Sequence, residues 1–242
     1  NRVWGHHFGQ HLVSTPSNFG LQGAKPTHPE LLDALAARFI ENRWSLKWLH
    51  RTILESDTFK QTSQLNQRFS RVDPENRMYW SVRRRRLDVE SWRDSMLAVS
   101  GRLDPQVGGP PIPLTDGTNR RRTIYSLIKR RELDDVLKMH GFPEPTGHSP
   151  KREAVDTPLQ QLYALNSDFI WECATALADE FPSETGQGEI VDKLYEKIYQ
   201  RRPSDNERNL GVKFLSGKGE RLVRLERYVH ALLISNEFAF LE

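Results

Sequence analysis

The sequence predicts a mainly α-helical protein: a multi-helix globular assembly with a small β-hairpin element and a C-terminal helical bundle. Three observations carry that expectation. Apolar residues recur at steps of three and four along most of the chain, and helix-capping residues stand just ahead of those runs. Only residues 123–128 combine Thr, Ile and Tyr in the manner of a strand. At 242 residues, 37% hydrophobic and 28% charged, the chain has room for a substantial core and a well-charged surface.

A short helix is expected from Arg2 to Leu12, carrying Trp4, His6 and His7. His7 and His11 are four apart and would share a helix face, but no third metal ligand accompanies them. Thr27 to Glu30 reads as a capping box that launches Leu32, Leu35, Ala36, Phe39 and Ile40, with Asn42 as the stop. Ser45 caps the next helix, with Trp44 and Leu49 placed as a hydrophobic staple and Leu46, Leu49, Ile53 and Leu54 as its apolar face. The short link between the two helices predicts a helical hairpin. His50 and Asp57 fall toward the polar edge as solvated surface, and residues 58–72 read as a polar connector.

Residues 73–101, DPENRMYWSVRRRRLDVESWRDSMLAVSG, organise the chain. A turn at Asp73-Pro74 leads to Arg83, Arg84, Arg85 and Arg86, then to Asp88 as the cap of a helix with Val89, Trp92, Met96, Val99 and Leu103 on one face. Asp73, Glu75, Asp88, Glu90 and Asp94 flank the arginines, so much of their charge can be answered within the chain. Residues 102–122 are rich in Gly and Pro and lack a helical period, and the strand candidate at 123–128 needs a partner, best supplied by 107–114.

A short helix is expected at 132–139. Thr157-Pro158-Leu159-Gln160 reads as another capping box, and Phe169, Ile170, Cys173 and Leu177 carry a further helix, with Cys173 as a small core hydrophobe. Three helices follow, the middle one opened by a capping box at Ser204 and Glu207. The expected division is a helical domain with long loops and the β element over 1–155, and a helical bundle over 156–242.

The net charge of +3 is too mild to point to nucleic acid, and no apolar run reaches membrane-spanning length. Cys173 is the only cysteine, which excludes an intrachain disulfide, a cysteine zinc cluster and a CxxCH haem attachment. No cofactor is therefore expected within the chain. The start at Asn1, without an initiator methionine or signal segment, leads us to expect a piece of something longer.

The segments NRVWGHHFG, SNFG, HPELLDALAARFIENRWSLKWLHRTILES, DPENRMYWSVRRRRLDVESWRDSMLAVSGRLD, KREAVDTPLQQLYALNSDF, LYEKIYQRRPSDNE and LLISNEF occur in this order. Together they resemble the planctomycete-type domain of unknown function found near the C-terminus of large exported proteins that bear a cytochrome-c-like haem domain. The resemblance implies an extracytoplasmic location, a haem-bearing upstream neighbour in the parent protein, and no established activity. His11 stands where such proteins commonly have glycine, a further argument against a His7/His11 metal pair.

Two functional readings follow. In the first, the chain is a non-catalytic binding or structural module of a larger protein, with other domains of that protein, including a cytochrome-c-like one, as partners. The arginine motif is then an internal Arg/carboxylate network, for which the planar guanidinium is suited. In the second, the chain is an enzyme or binding domain for an anionic polysaccharide or its breakdown products. Arg77, Arg84 and Arg152 would grip sulfate or carboxylate groups, His6 or His7 would act as base, and Asp73, Glu75 or Asp156 as acid or orienting group. Trp4, Trp80 and Trp92 could stack on sugar faces. Arg2, Asn76, Arg85 and Asp88 complete the candidate binding cluster.

Overall fold

The computed structural model describes residues 1–152 and 155–241. They group into two compact units, Asn1–Arg85 and Arg86–Leu241. The expected boundary at 155/156 falls inside the second unit, because Trp92, Met96 and Leu97 share one apolar core with Ile170, Cys173, Leu194 and Leu233.

In the first unit, α1 (Arg2–Phe8) ends sooner than expected because Gly9 turns left-handed at φ 71° and its N–H bonds the Gly5 carbonyl. Helices α2 (Pro29–Glu41) and α3 (Leu46–Leu54) pack on one another as the short link requires. Their leucines 32, 35 and 49 border a core of Trp4, Phe8, Leu12, Ile53 and Tyr79. Ser45 caps α3 by accepting from the Trp48 N–H at 3.2 Å.

Three local expectations fail in this unit. His28, not Thr27, precedes α2, because the Thr27 hydroxyl donates to the Leu12 carbonyl. Trp44 is 65% exposed and lies edge-on to Phe39 rather than stapling onto Leu49, its backbone being left-handed at φ 58°. The connector at 58–72 contains α4 (Gln67–Val72), capped by the Asn66 side chain.

In the second unit, α5 (Val89–Val99) is capped by Asp88, whose carboxylate accepts from the Ser91 N–H at 2.8 Å, and it buries Val89, Trp92, Met96 and Leu97. Then follow α6 (Asp135–Met139), α7 (Pro158–Asn166), α8 (Asp168–Ala178), α9 (Gln187–Tyr199), α10 (Asp205–Leu215), α11 (Arg221–Leu233) and α12 (Asn236–Ala239). The expected C-terminal bundle forms, with α11 packed on α8, α9 and α10. Ser204 and Glu207 make both bonds of the predicted capping box. The box predicted at Thr157 does not form, for Thr157 makes no cap bond and Gln160 is turned inward at 2% exposure.

The β element is present but sits elsewhere. It pairs β1 (Arg85–Arg86) with β2 (Phe240–Leu241), next to a bond from the Leu87 N–H to the Ala239 carbonyl at 2.8 Å. Residues 123–128 are not a strand. Thr123–Tyr125 form a 3-10 turn, and the pairing with 107–114 shrinks to a single parallel bridge between Ile112 and Ser126. Pro110, Pro111 and Pro113 lack the N–H groups a longer ladder needs.

The close approach of the bundle helices depends on Gly211. A β-carbon there would collide with the Tyr228 hydroxyl and stand 2.7 Å from a Val191 methyl. Gly211→Ala is expected to destabilise by about 1–3 kcal/mol through overpacking, read as a lowered denaturation midpoint.

Candidate functional site

The sequence-predicted residues fall into two bonded sets, one in each unit. In the first unit, residues 73–82 form a loop tied to itself. The Asp73 carboxylate accepts from the Arg77 and Met78 N–H groups at 3.0 and 2.8 Å, and those bonds hold its pKa below the usual carboxylate value. The Trp80 indole donates to the Asp73 carbonyl at 2.9 Å. Asn76, left-handed at φ 51° and buried, donates through its amide to the Ser81 carbonyl and accepts from the Ser81 N–H. The loop thereby delivers Tyr79 to the core, where its hydroxyl accepts from the Trp4 indole at 2.9 Å. Trp4 stacks on Phe8 and is 7% exposed, so it is a core residue and offers no face to a sugar.

Beyond that loop the chain leads into β1, and the arginines there find separate partners. Arg83 donates to the Glu75 carbonyl, and Gln10, oriented with its amide oxygen toward Arg83, accepts at 2.8 and 2.9 Å. Arg85 donates to the His6 carbonyl at the end of α1. His7 does not pair with His11. Its Nε2 lies 2.7 Å from Nδ1 of His50, while the His11 ring sits over Gly5 and its Nδ1 contacts the Asn1 carbonyl at 3.2 Å. Burial lowers the His7 pKa, and the positive charges of His50, Arg85 and His6 lower it further. Arg2, Arg77 and Arg84 lie at exposed positions of this unit.

In the second unit the arginines meet carboxylates. Arg86 Nη1 donates to Asp156 at 2.7 Å and to the buried Gln160 amide oxygen at 2.5 Å, while the Gln160 nitrogen donates to the Met139 and Val155 carbonyls. Arg152 grips Glu90 with both terminal nitrogens, at 2.5 and 2.8 Å, and lies 3.7 Å from Asp88. Burial works against the Arg152 cation, but Glu90 outweighs it and raises the pKa. One helix cap, Asp88, thus serves both α5 and the arginine.

Sequence reasoning missed four positions. Gln160 was read as a cap and is instead the hub between Arg86 and two carbonyls. His50 is exposed, as its place on the polar edge predicts, but its pairing with His7 was not foreseen. Arg93, 7% exposed, donates to the Asn119 and Arg121 carbonyls and to the Thr123 hydroxyl, pinning the 3-10 turn to α5. Arg201 makes two-pronged contacts with both Glu207 and Glu237 and lies over Tyr195 and Tyr199. Only Arg201 carried a sequence signal, through its place beside the capping box at Ser204.

Among the described residues, no group of three or more His, Cys, Asp or Glu side chains is placed to hold a metal ion, and no helix is long and apolar enough to cross a membrane. The fold and the two bonded sets define a helical protein whose best-organised polar groups are arginines held by the chain itself. It belongs to the PSD1 family, described as a protein of unknown function (DUF1553), whose model matches residues 1–215. That agrees with the resemblance to a domain of unknown function. Neither curated proteins nor solved structures yield a match.

Glu207 provides a pH test of the Arg201 cluster. Its carboxyl is lowered from the ordinary 4.5 to about 2, with the Arg201 hydrogen bond the largest cause. A depressed carboxylate contributes stability that is complete above the ordinary value and is lost as pH falls through the folded one. The denaturation midpoint is therefore expected to drop between pH 4.5 and about 2, and to drop less steeply in Glu207→Gln.

Proposed function

We propose that this chain is a non-catalytic binding or structural module of a larger exported protein, packed in its parent beside a haem-bearing domain. The observation that carries the reading is the full use of the motif arginines Arg86 and Arg152 by acceptors of their own unit. A guanidinium committed to Asp156 and Gln160, or to both oxygens of Glu90, is a brace between segments. The export and haem association rest on the sequence resemblance alone.

The test pairs stability with turnover. Arg86→Ala strands the buried Gln160 oxygen, so a loss of about 1–3 kcal/mol in chemical denaturation is expected. The wild-type chain is expected to leave sulfated and uronic-acid polysaccharides uncut and to co-elute with the remainder of its parent protein on gel filtration. Reducing-end release from either polysaccharide, abolished in an Arg86→Ala variant of normal stability, would replace the module with an enzyme.

A further inference from the structure

The net charge of +3 conceals an imbalance. Residues 1–85 carry thirteen Lys and Arg against seven Asp and Glu, a net of +6, whereas residues 86–242 carry twenty-two against twenty-five, a net of −3. Five of the eight histidines also lie in the first unit. Single bonds follow the imbalance only in part, since Arg93 and Arg121 of the second unit end on carbonyls and Arg51 of the first lies 3.9 Å from Glu55. Arg86, Arg102, Arg120, Arg152, Arg201 and Arg208 of the second unit each end on a carboxylate. Arg83 and Arg85 end on neutral oxygens, and such bonds fix a guanidinium without cancelling its charge.

Four basic residues of the first unit lie on or beside α1. His7 on α1 and His50 on α3 face each other across 2.7 Å, and the Phe59 ring stands perpendicular to the His7 ring with centroids 5.7 Å apart. Arg85 lies along the end of α1, its guanidinium on the His6 carbonyl and its side-chain stem near Gly9. The neighbours whose charge bears on His7 are all basic: His50, Arg85 and His6. Clustered like charge without a counter-charge destabilises a fold, and an anion from outside removes the penalty. The permanent charge of Arg85 also opposes a metal dication beside this histidine pair.

We propose that His7, His50, His6 and Arg85 form a site on the first unit for one sulfate-type or phosphate-type oxyanion. Arg85 supplies the permanent charge and the imidazoles supply N–H donors, which are more numerous when the rings are protonated. Burial first and the basic neighbours second disfavour the charged form of His7, and an anion there counters both, so binding takes up a proton and tightens as pH falls. The site does not rest on the module reading, since none of its residues belongs to the Arg86 or Arg152 contacts.

The experiment is titration calorimetry of the full chain with sodium sulfate and sodium phosphate at constant ionic strength, at about pH 8 and about pH 6. A sulfated oligosaccharide and its unsulfated parent form the second arm. Saturable binding is expected, tightening by up to about tenfold per pH unit for one proton taken up. His50→Gln, at an exposed position, is expected to weaken binding about tenfold and to flatten the pH dependence, with a cooperative melting transition retained as the check that the variant is folded. His6→Gln, also exposed, is a second variant expected to weaken binding. Binding of the inorganic ions alone would mark a site for the free anion, whereas binding of the sulfated sugar and not its parent would mark an ester-linked group. No saturable heat with any of these, equal binding by chloride, or wild-type affinity in both variants would overturn the proposal.

Discussion

Backbone carbonyls outside helices and ladders still need donors, and in this chain arginine supplies them. Arg93 takes the carbonyls of Asn119 and Arg121, and Arg121 takes those of Pro110 and Gly108. Arg224 takes those of Leu215 and Gly219, and Arg221 that of Pro182. A planar fork with five donors can hold two or three carbonyls at once, which lysine cannot do with the same geometry. The Gly/Pro-rich stretch at 102–122 acquires one shape through such contacts: Arg121 lies over the Tyr125 ring and Arg93 over Phe169, each guanidinium covering an aromatic face while its N–H groups reach backbone oxygens.

The run of four arginines therefore has no single task. Arg83 anchors to the Glu75 carbonyl and to Gln10 after α1, and Arg85 to the His6 carbonyl of α1, while Arg86 belongs to the brace around Gln160. Each position is specified by what it meets rather than by its charge alone, so a conservative exchange for lysine would keep the net charge and lose the two-sided grip.

The helices were legible because capping and periodicity are local. Asp88, Ser45 and the Ser204–Glu207 pair act within one turn of chain, and the structure uses all three. Thr27 and Thr157 have the same signature and fail, since a hydroxyl or amide that finds a distant carbonyl has left its cap: Thr27 reaches Leu12, and Gln160 reaches Met139. The strand at 123–128 failed through its partner's prolines, which only a pairing argument exposes. The candidate site was half legible. Glu90 and Arg86 were visible as charges, but the pairing of Arg152 with Glu90 spans 62 positions and that of His7 with His50 spans 43, distances over which sequence spacing says nothing.

Cys173, the sole thiol, lies wholly buried in the core of the second unit, and burial raises its pKa. A thiol so placed meets a water-borne reagent only when α8 comes away from its neighbours. Its labelling rate is thus a native clock for the opening of that core, readable without any engineered probe, and blind to motions confined to the first unit.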